Sequence, residues 1–209
     1  EIVAKRLREM AYLMGTRGIV IDLEDQRTGA KEHFEFPEGV QTFVQHINKN
    51  KTVLHPDVIH FVKVVPAAEG AGREYEVEFA MQYTDTYQDT VYCFVNNINT
   101  PGGGTHLAGF KAALTRSLNS YAKSEKLAKD ADALPSGDDL REGLSAILAL
   151  KVPDPQFEGQ TKDKLGNREV QGIVESVVGD LLSTYLEEHP AAAKSIIQKA
   201  MLAQAAREA

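Results

Sequence analysis

Tyr75-Glu76-Val77-Glu78-Phe79-Ala80-Met81-Gln82-Tyr83 keeps strict period-two alternation: Tyr75, Val77, Phe79, Met81 and Tyr83 fall on one side of the chain, as a half-buried β-strand requires. A polar turn, Thr84 to Asp89, leads into Val91 to Val95, which is apolar on both faces and is therefore expected at the centre of a sheet. Upstream, Val58 to Val65 is a third run of the same kind. Together the three read as an antiparallel meander with one face covered. After Pro101-Gly102-Gly103-Gly104 the period turns helical: Thr105 takes the N-cap position, and Leu107, Phe110, Leu114, Leu118 and Tyr121 form one stripe.

Toward the N-terminus, Val3, Leu7, Met10 and Met14 mark one face of a helix that Gly15 and Gly18 end. Ile19, Ile21 and Leu23 then alternate as a strand, with His33 to Phe36 as its partner, and Pro37 opens a helix bearing Val40, Phe43, Val44 and Ile47. Toward the C-terminus, Ser124 to Asp139 reads as a loop and Leu144 to Val152 as a strand closed by Pro153-Asp154-Pro155. A glycine-bounded loop, Gly159 to Gly166, precedes a long helix capped by Asn167, with Val170, Ile173, Val174, Val177, Leu181 and Tyr185 inward. Pro190 breaks that helix, and an Ala-rich helix follows with too little apolar stripe to stand alone. The order implies a two-layer α+β arrangement.

The chain has 209 residues and a formal charge of −7, so a surface that grips nucleic acid on every side is excluded, although a local basic face is not. The apolar runs are too short to span a bilayer. The first residues, Glu1 to Glu9, have mixed charge and helical spacing, unlike a signal peptide, and the absence of an initiator methionine is read as the mark of a fragment. Cys93 is the sole cysteine, which excludes an internal disulfide and a multi-thiolate zinc site and suits a reduced, cytoplasmic setting. The histidines are scattered without an HExxH-like pair, and no metal site is expected.

Three segments have chemistry to offer. Backbone amides of Gly102-Gly103-Gly104 at a helix start can hold phosphate, but Thr105 is followed by His106 rather than by the pattern of a P-loop, so a tight turn into the helix is the favoured reading. Gln160-Thr161-Lys162 lies on a loop between a strand and a helix. A lysine ammonium with a glutamine amide two residues away suits a terminal phosphate, but composition alone clearly favours an ordinary solvated loop with alternating charge. Lys111, Arg116, Lys123 and Lys126 follow one helix, either as a solvated face or beside DNA. Cys93, among Tyr92, Phe94 and Val95, reads as a small core residue.

Asn96-Asn97-Ile98-Asn99-Thr100, Gly103-Gly104-Thr105-His106, Gly109-Phe110 and Ala112-Ala113-Leu114-Thr115-Arg116 resemble the strand-exit and helix-start signature of the gyrase-type ATPase subunits of type IIA DNA topoisomerases. Gly137-Asp138-Asp139-Leu140-Arg141-Glu142-Gly143-Leu144, Lys151 to Phe157, and Gln160-Thr161-Lys162 as the QTK loop continue the resemblance in order over essentially the whole chain. It implies a transducer domain over residues 1–188, a two-layer α/β sandwich with a left-handed β-α-β crossover, and a long C-terminal helix over 189–209 leading toward a TOPRIM domain.

The resemblance further implies that Lys162, as a catalytic residue, and Gln160 contact the γ-phosphate of ATP held with Mg2+ by an upstream ATPase domain. Lys111, where relatives carry Arg, and Arg116 are then candidates for the cavity that encloses double-stranded DNA. The implied partners are a second copy of the same polypeptide, joined in an ATP-dependent dimer, and the A subunit of DNA gyrase. The whole protein would be an ATP-hydrolysing topoisomerase that introduces negative supercoils, whereas this fragment alone is expected neither to bind nor to hydrolyse ATP. The equivalent topoisomerase IV subunit shares the motifs, and a non-catalytic nucleic-acid- or protein-binding module of the same fold is the alternative from another class.

Overall fold

The computed structural model describes residues 1–67, 73–128 and 133–209. Its frame is a five-stranded sheet formed by β3 (Ile59–Pro66), β4 (Glu74–Tyr83), β5 (Thr90–Val95), β6 (Ile98–Asn99) and β8 (Leu144–Lys151), in the order β3-β4-β8-β5-β6. β4 pairs antiparallel with β3 and β8, while β8 and β5 run parallel. The expected meander is therefore interrupted, because β8 inserts between β4 and β5. Thr84 to Asp89 is long enough to step over one strand, since two inter-strand spacings amount to about 10 Å.

The central position belongs to β8 rather than to β5. Leu144, Ala146 and Leu148 on one face of β8 and Ile147 on the other are fully buried, whereas Tyr92 of β5 is 41% exposed. β5 ends in a tight hairpin to β6 through Asn96 (φ 49°) and Asn97 (φ 64°), a pair of left-handed conformations that asparagine tolerates.

Parallel neighbours need a crossover. It runs from β6 through β7 (Gly103–Gly104), α3 (Thr105–Ser124) and α4 (Gly137–Arg141) back to β8. α3 packs its Phe110, Leu114 and Leu118 against Val77, Phe79 and Leu148 of the sheet and against Val170, Val174 and Val178 of α5 (Arg168–Glu188). The Phe79 ring meets Phe110 edge-on at 6.2 Å. The inward face of α5 is turned slightly from expectation, with Val178, Leu182 and Leu186 buried and Ile173, Leu181 and Tyr185 only partly so.

α6 (Pro190–Glu208) starts with Pro190 in its first turn and lays Ala193, Ile196, Ile197 and Ala200 into the same core. Small alanines allow close approach, which supplies the contact that a scan for large apolar residues undervalues.

The other face of the sheet is also covered. α2 (Val40–Asn48) places Phe43 and Val44 against Ala80, Phe94 and Ile147, together with Tyr12 of α1 (Ile2–Leu13), so the expected two-layer arrangement with one face covered is corrected to a sheet with helices on both faces. α2 begins at Val40 after a turn at Pro37–Gly39, not at Pro37. On α1 the buried residues include Ala4 and Ala11, while Val3 and Met10 are 60% and 46% exposed. β1 (Val20–Asp25) and β2 (Ala30–Glu35) form a separate antiparallel hairpin.

Of the loop expected over Ser124 to Asp139, Ser124 ends α3, residues 129–132 lie outside the described residues, and α4 occupies the end. Ser136 and Asp139 form a reciprocal capping box at its start.

Candidate functional site

Gln160 and Lys162 stand at the exposed tip of a hairpin made by β9 (Phe157–Glu158) and β10 (Lys164–Leu165). Gly159 turns the chain with φ 77°, and Lys162 itself is held at φ 57°, a left-handed conformation that β-carbon sterics disfavour. Such strain at a loop tip recurs at working sites. Lys164 and Glu158 pair across the hairpin at 3.1 Å. Among the described residues, Lys162 has no side-chain hydrogen bond or ion pair, which leaves its ammonium available to an anion.

The hairpin is anchored from two sides. Leu165 is fully buried in the main core. β10 pairs parallel with β7, and the Gly102 amide donates to the Asp163 carbonyl at 2.9 Å. This close pairing explains the glycine run. Gly104 has φ 123°, and a β-carbon there would lie 2.2 Å from the Leu165 carbonyl oxygen, so only glycine fits. The Gly103 amide donates to Thr100. With the Gly102 and Gly103 amides engaged, the turn reading holds over a phosphate cradle.

Thr105 is the first residue of α3 and not its cap; Gly104 holds the cap position, and the Thr105 hydroxyl is buried without a partner among the described residues. His106, fully buried, lies 2.9 Å through Nε2 from the Thr100 hydroxyl, which itself donates to the Cys93 carbonyl at 3.1 Å, so Nε2–H is the donor. Among the described residues Nδ1 has no partner, and burial pulls the imidazole pKa down to about 4, keeping it neutral. Burial likewise pushes the Cys93 thiol up to about 12, as suits a core residue and not a nucleophile.

Lys111, Arg116 and Lys123 meet on the outer face of α3, where they line a cleft of about 590 Å³. Arg141 of α4 joins them, a residue that charge counting along one helix could not find. Lys126 does not line this cleft. Arg116 is paired with Glu175 of α5, and Arg141 with Asp138 and, at 3.7 Å, with Asp89. The cleft is thus basic but partly neutralised. Gln160 and Lys162 lie outside it; β7 links their hairpin to the start of α3, and α5, which follows β10, packs along the same helix.

Asn167 does not cap α5 with its side chain, although it stands at the cap position. Its Oδ1 accepts from the Gln156 amide at 2.6 Å, and its Nδ2 donates to the Asp154 carbonyl at 3.0 Å and to Glu169 at 2.9 Å.

This architecture is shared with ATP-binding regions of type IIA topoisomerases. The 43K ATPase domain of Thermus thermophilus gyrase B, solved with an aminocoumarin, superposes with a TM-score of 0.84 at 38% identity, over 99% of this chain and 53% of that one. The topoisomerase IV ATP-binding domain of Francisella tularensis shares the fold, with a TM-score of 0.75 at 22% identity over 100% of this chain and 54% of its own. Residues 39–209 match the family described as DNA gyrase B, and the chain belongs to that family. The B subunit of DNA gyrase from Clostridium acetobutylicum is 47% identical over 100% of this chain and 32% of its own length. That of Haloferax lucentense is 50% identical over 98% of this chain and 31% of its own. The chain therefore spans about a third of the length of the curated relatives it matches.

Proposed function

We propose that the chain is the transducer segment of a gyrase-type type IIA topoisomerase subunit, coupling ATP binding and hydrolysis to DNA strand passage and negative supercoiling. In this reading residues 1–188 are the transducer, the β5–α3–β8 connection is its left-handed crossover, and residues 189–209 lead toward a TOPRIM domain. The observation that carries it is the parallel pairing of β10 with β7. One short sheet joins the hairpin bearing Lys162 to the first turn of α3, the helix bearing Lys111 and Arg116 toward DNA.

The tip residues fit a terminal phosphate. An unpaired ammonium at Lys162 and an amide at Gln160 provide charge and a directed donor, while adenine and Mg2+ contacts belong to an upstream ATPase domain. ATP, when bound there, supplies the phosphoryl group that is transferred to water. Lys162 neutralises charge on that group in the transition state, and Gln160 orients it. Because ADP lacks the γ-phosphate, Lys162 and Gln160 bind the two nucleotide states unequally, which is the differential affinity a switch needs. The setting is cytoplasmic, with a second copy of the same polypeptide, the A subunit of DNA gyrase and double-stranded DNA as partners.

The test is Lys162→Ala in the full-length protein. Turnover should fall by roughly a hundredfold or more, the scale of losing one electrostatic stabiliser, with nucleotide affinity less affected and Gln160→Ala milder. A normal ATPase rate in a folded Lys162→Ala protein that still dimerises on an ATP analogue overturns the reading.

A further inference from the structure

We propose that Asn167 is a positioning residue for Lys162, fixing the base of the hairpin so that the ammonium is presented at one height and angle; this rests on the proposed role of Lys162. β9 and β10 share only two residue pairs, too short a ladder to hold a tip in place unaided. β7 secures the β10 side. The β9 side is secured by Asn167, whose residue is 2% exposed.

The bonding of that side chain is specific. Both Nδ2 hydrogens are used, one on the Asp154 carbonyl and one on the Glu169 carboxylate, and Oδ1 takes the Gln156 amide hydrogen. The Gln156 carbonyl is held in turn by the Gly166 amide at 2.7 Å, so the residue just before β9 is fastened on both sides. Glu169 carries the link onward. The Asn167 amide holds its carboxyl below the usual carboxylate range, and it also accepts from the Tyr75 hydroxyl at 3.3 Å. One amide thus ties the hairpin base to the first turn of α5 and, through Glu169, to the start of β4. An asparagine at a helix N-cap ordinarily spends its oxygen on the helix amides. Here that oxygen serves the hairpin instead, and its identity is set by the hairpin's needs.

Removing the amide leaves the Gln156 N–H and Asp154 carbonyl to water and frees the β9 side to rock. A displacement of about 1 Å at a reacting group costs up to a hundredfold in rate. In the full-length protein, Asn167→Ala should therefore lower kcat for ATP about ten- to hundredfold and leave KM within about threefold. The decisive readout is the double variant. If Asn167 acts through Lys162, adding Asn167→Ala to Lys162→Ala should cause no further loss, whereas a general structural defect would multiply the two losses. Losses that multiply, or a wild-type kcat in Asn167→Ala, overturn the proposal.

Should Asn167→Ala fail to fold, a second pair decides. Asn167→Asp keeps the acceptor for Gln156 but loses both donors and faces Glu169, so turnover should drop. Glu169→Gln in that background returns a donor and should recover much of the loss, and no recovery overturns the proposal. If Lys162→Ala itself leaves turnover unchanged, the reading of Lys162 as the phosphate sensor fails, a result distinct from the failure of Asn167.

Discussion

β4 and β8 run side by side for eight paired residues, and Phe79, Met81, Ala146 and Leu148 between them are fully buried. β9 and β10 share two pairs and end in an exposed tip from Gln160 to Lys162. The long sheet also carries a satisfied buried polar chain: Ser145 donates to Asn48 at 2.6 Å, Asn48 to Gln82 at 3.0 Å, and Gln82 to the His55 carbonyl at 3.0 Å. The short sheet relies on glycine backbone and one asparagine. Local opening costs most where burial and pairing are dense and least where both are sparse. The long sheet is therefore the stiffer region and the tip the more easily opened one, and β7 is one joint between them, with Asn167 the other.

Breaking the frame should have the largest effect. Phe79→Ala removes a fully buried ring that packs on Phe61 and Phe110 and leaves a cavity between sheet and α3, at a cost of about 3–5 kcal/mol. Denaturant unfolding of the 209-residue chain measures it. A loss under about 1 kcal/mol would mean that the site collapses and that the frame is softer than its burial indicates.

Breaking the joint should cost less stability and more coupling. Gly104→Ala sets a β-carbon against the Leu165 carbonyl at a backbone angle that L-residues avoid, for about 2–4 kcal/mol of strain and displacement. The fold should survive, and hydrogen exchange should quicken at Gly102 and through residues 156–166 while β4 and β8 stay protected. Equal acceleration in both regions would erase the distinction between frame and tip.

How much of this was legible in the sequence follows the same division. Strands and helices with strong periodicity, such as Tyr75 to Tyr83 and Leu107 to Tyr121, could be located from their pattern, but the expectation that the strand is half-buried fails, because α2 also covers Ala80 and buries its other face. The insertion of β8 between β4 and β5 could not be, since pairing partners far apart in sequence leave no local trace. Two-residue strands such as β7, β9 and β10 have no period at all. Gln160, Lys162, Lys111 and Arg116 could be singled out by charge and placement, but only motif resemblance favoured a role for them, because charged residues on a loop or helix face look alike whether they work or merely dissolve. The capping box at Ser136 and Asp139 was readable from spacing, yet the polar composition around it argued for loop.

That capping box supports the smallest effect, at the far end of the frame. Arg207 of α6 donates through Nε and Nη2 to the two carboxylate oxygens of Asp139 at 3.1 and 3.0 Å, fastening the last turn of α6 to α4. The Arg207 guanidinium, with help from the Ser136 N–H and hydroxyl, holds the Asp139 carboxyl below the usual carboxylate range. A depressed folded-state pKa contributes stability above the unfolded pKa, about 3.9, and loses it as pH falls through the folded value. Because Arg207 is half-exposed, solvent screens the pair, and Arg207→Ala should lower the melting temperature only slightly near neutral pH. The gap between parent and variant melting temperatures should hold above about pH 5 and shrink below about pH 4 as Asp139 takes its proton in both. A gap that stays constant down to about pH 2 would show that Arg207 contributes by packing and not by charge, and that α6 is held to the frame by its alanine and isoleucine face alone.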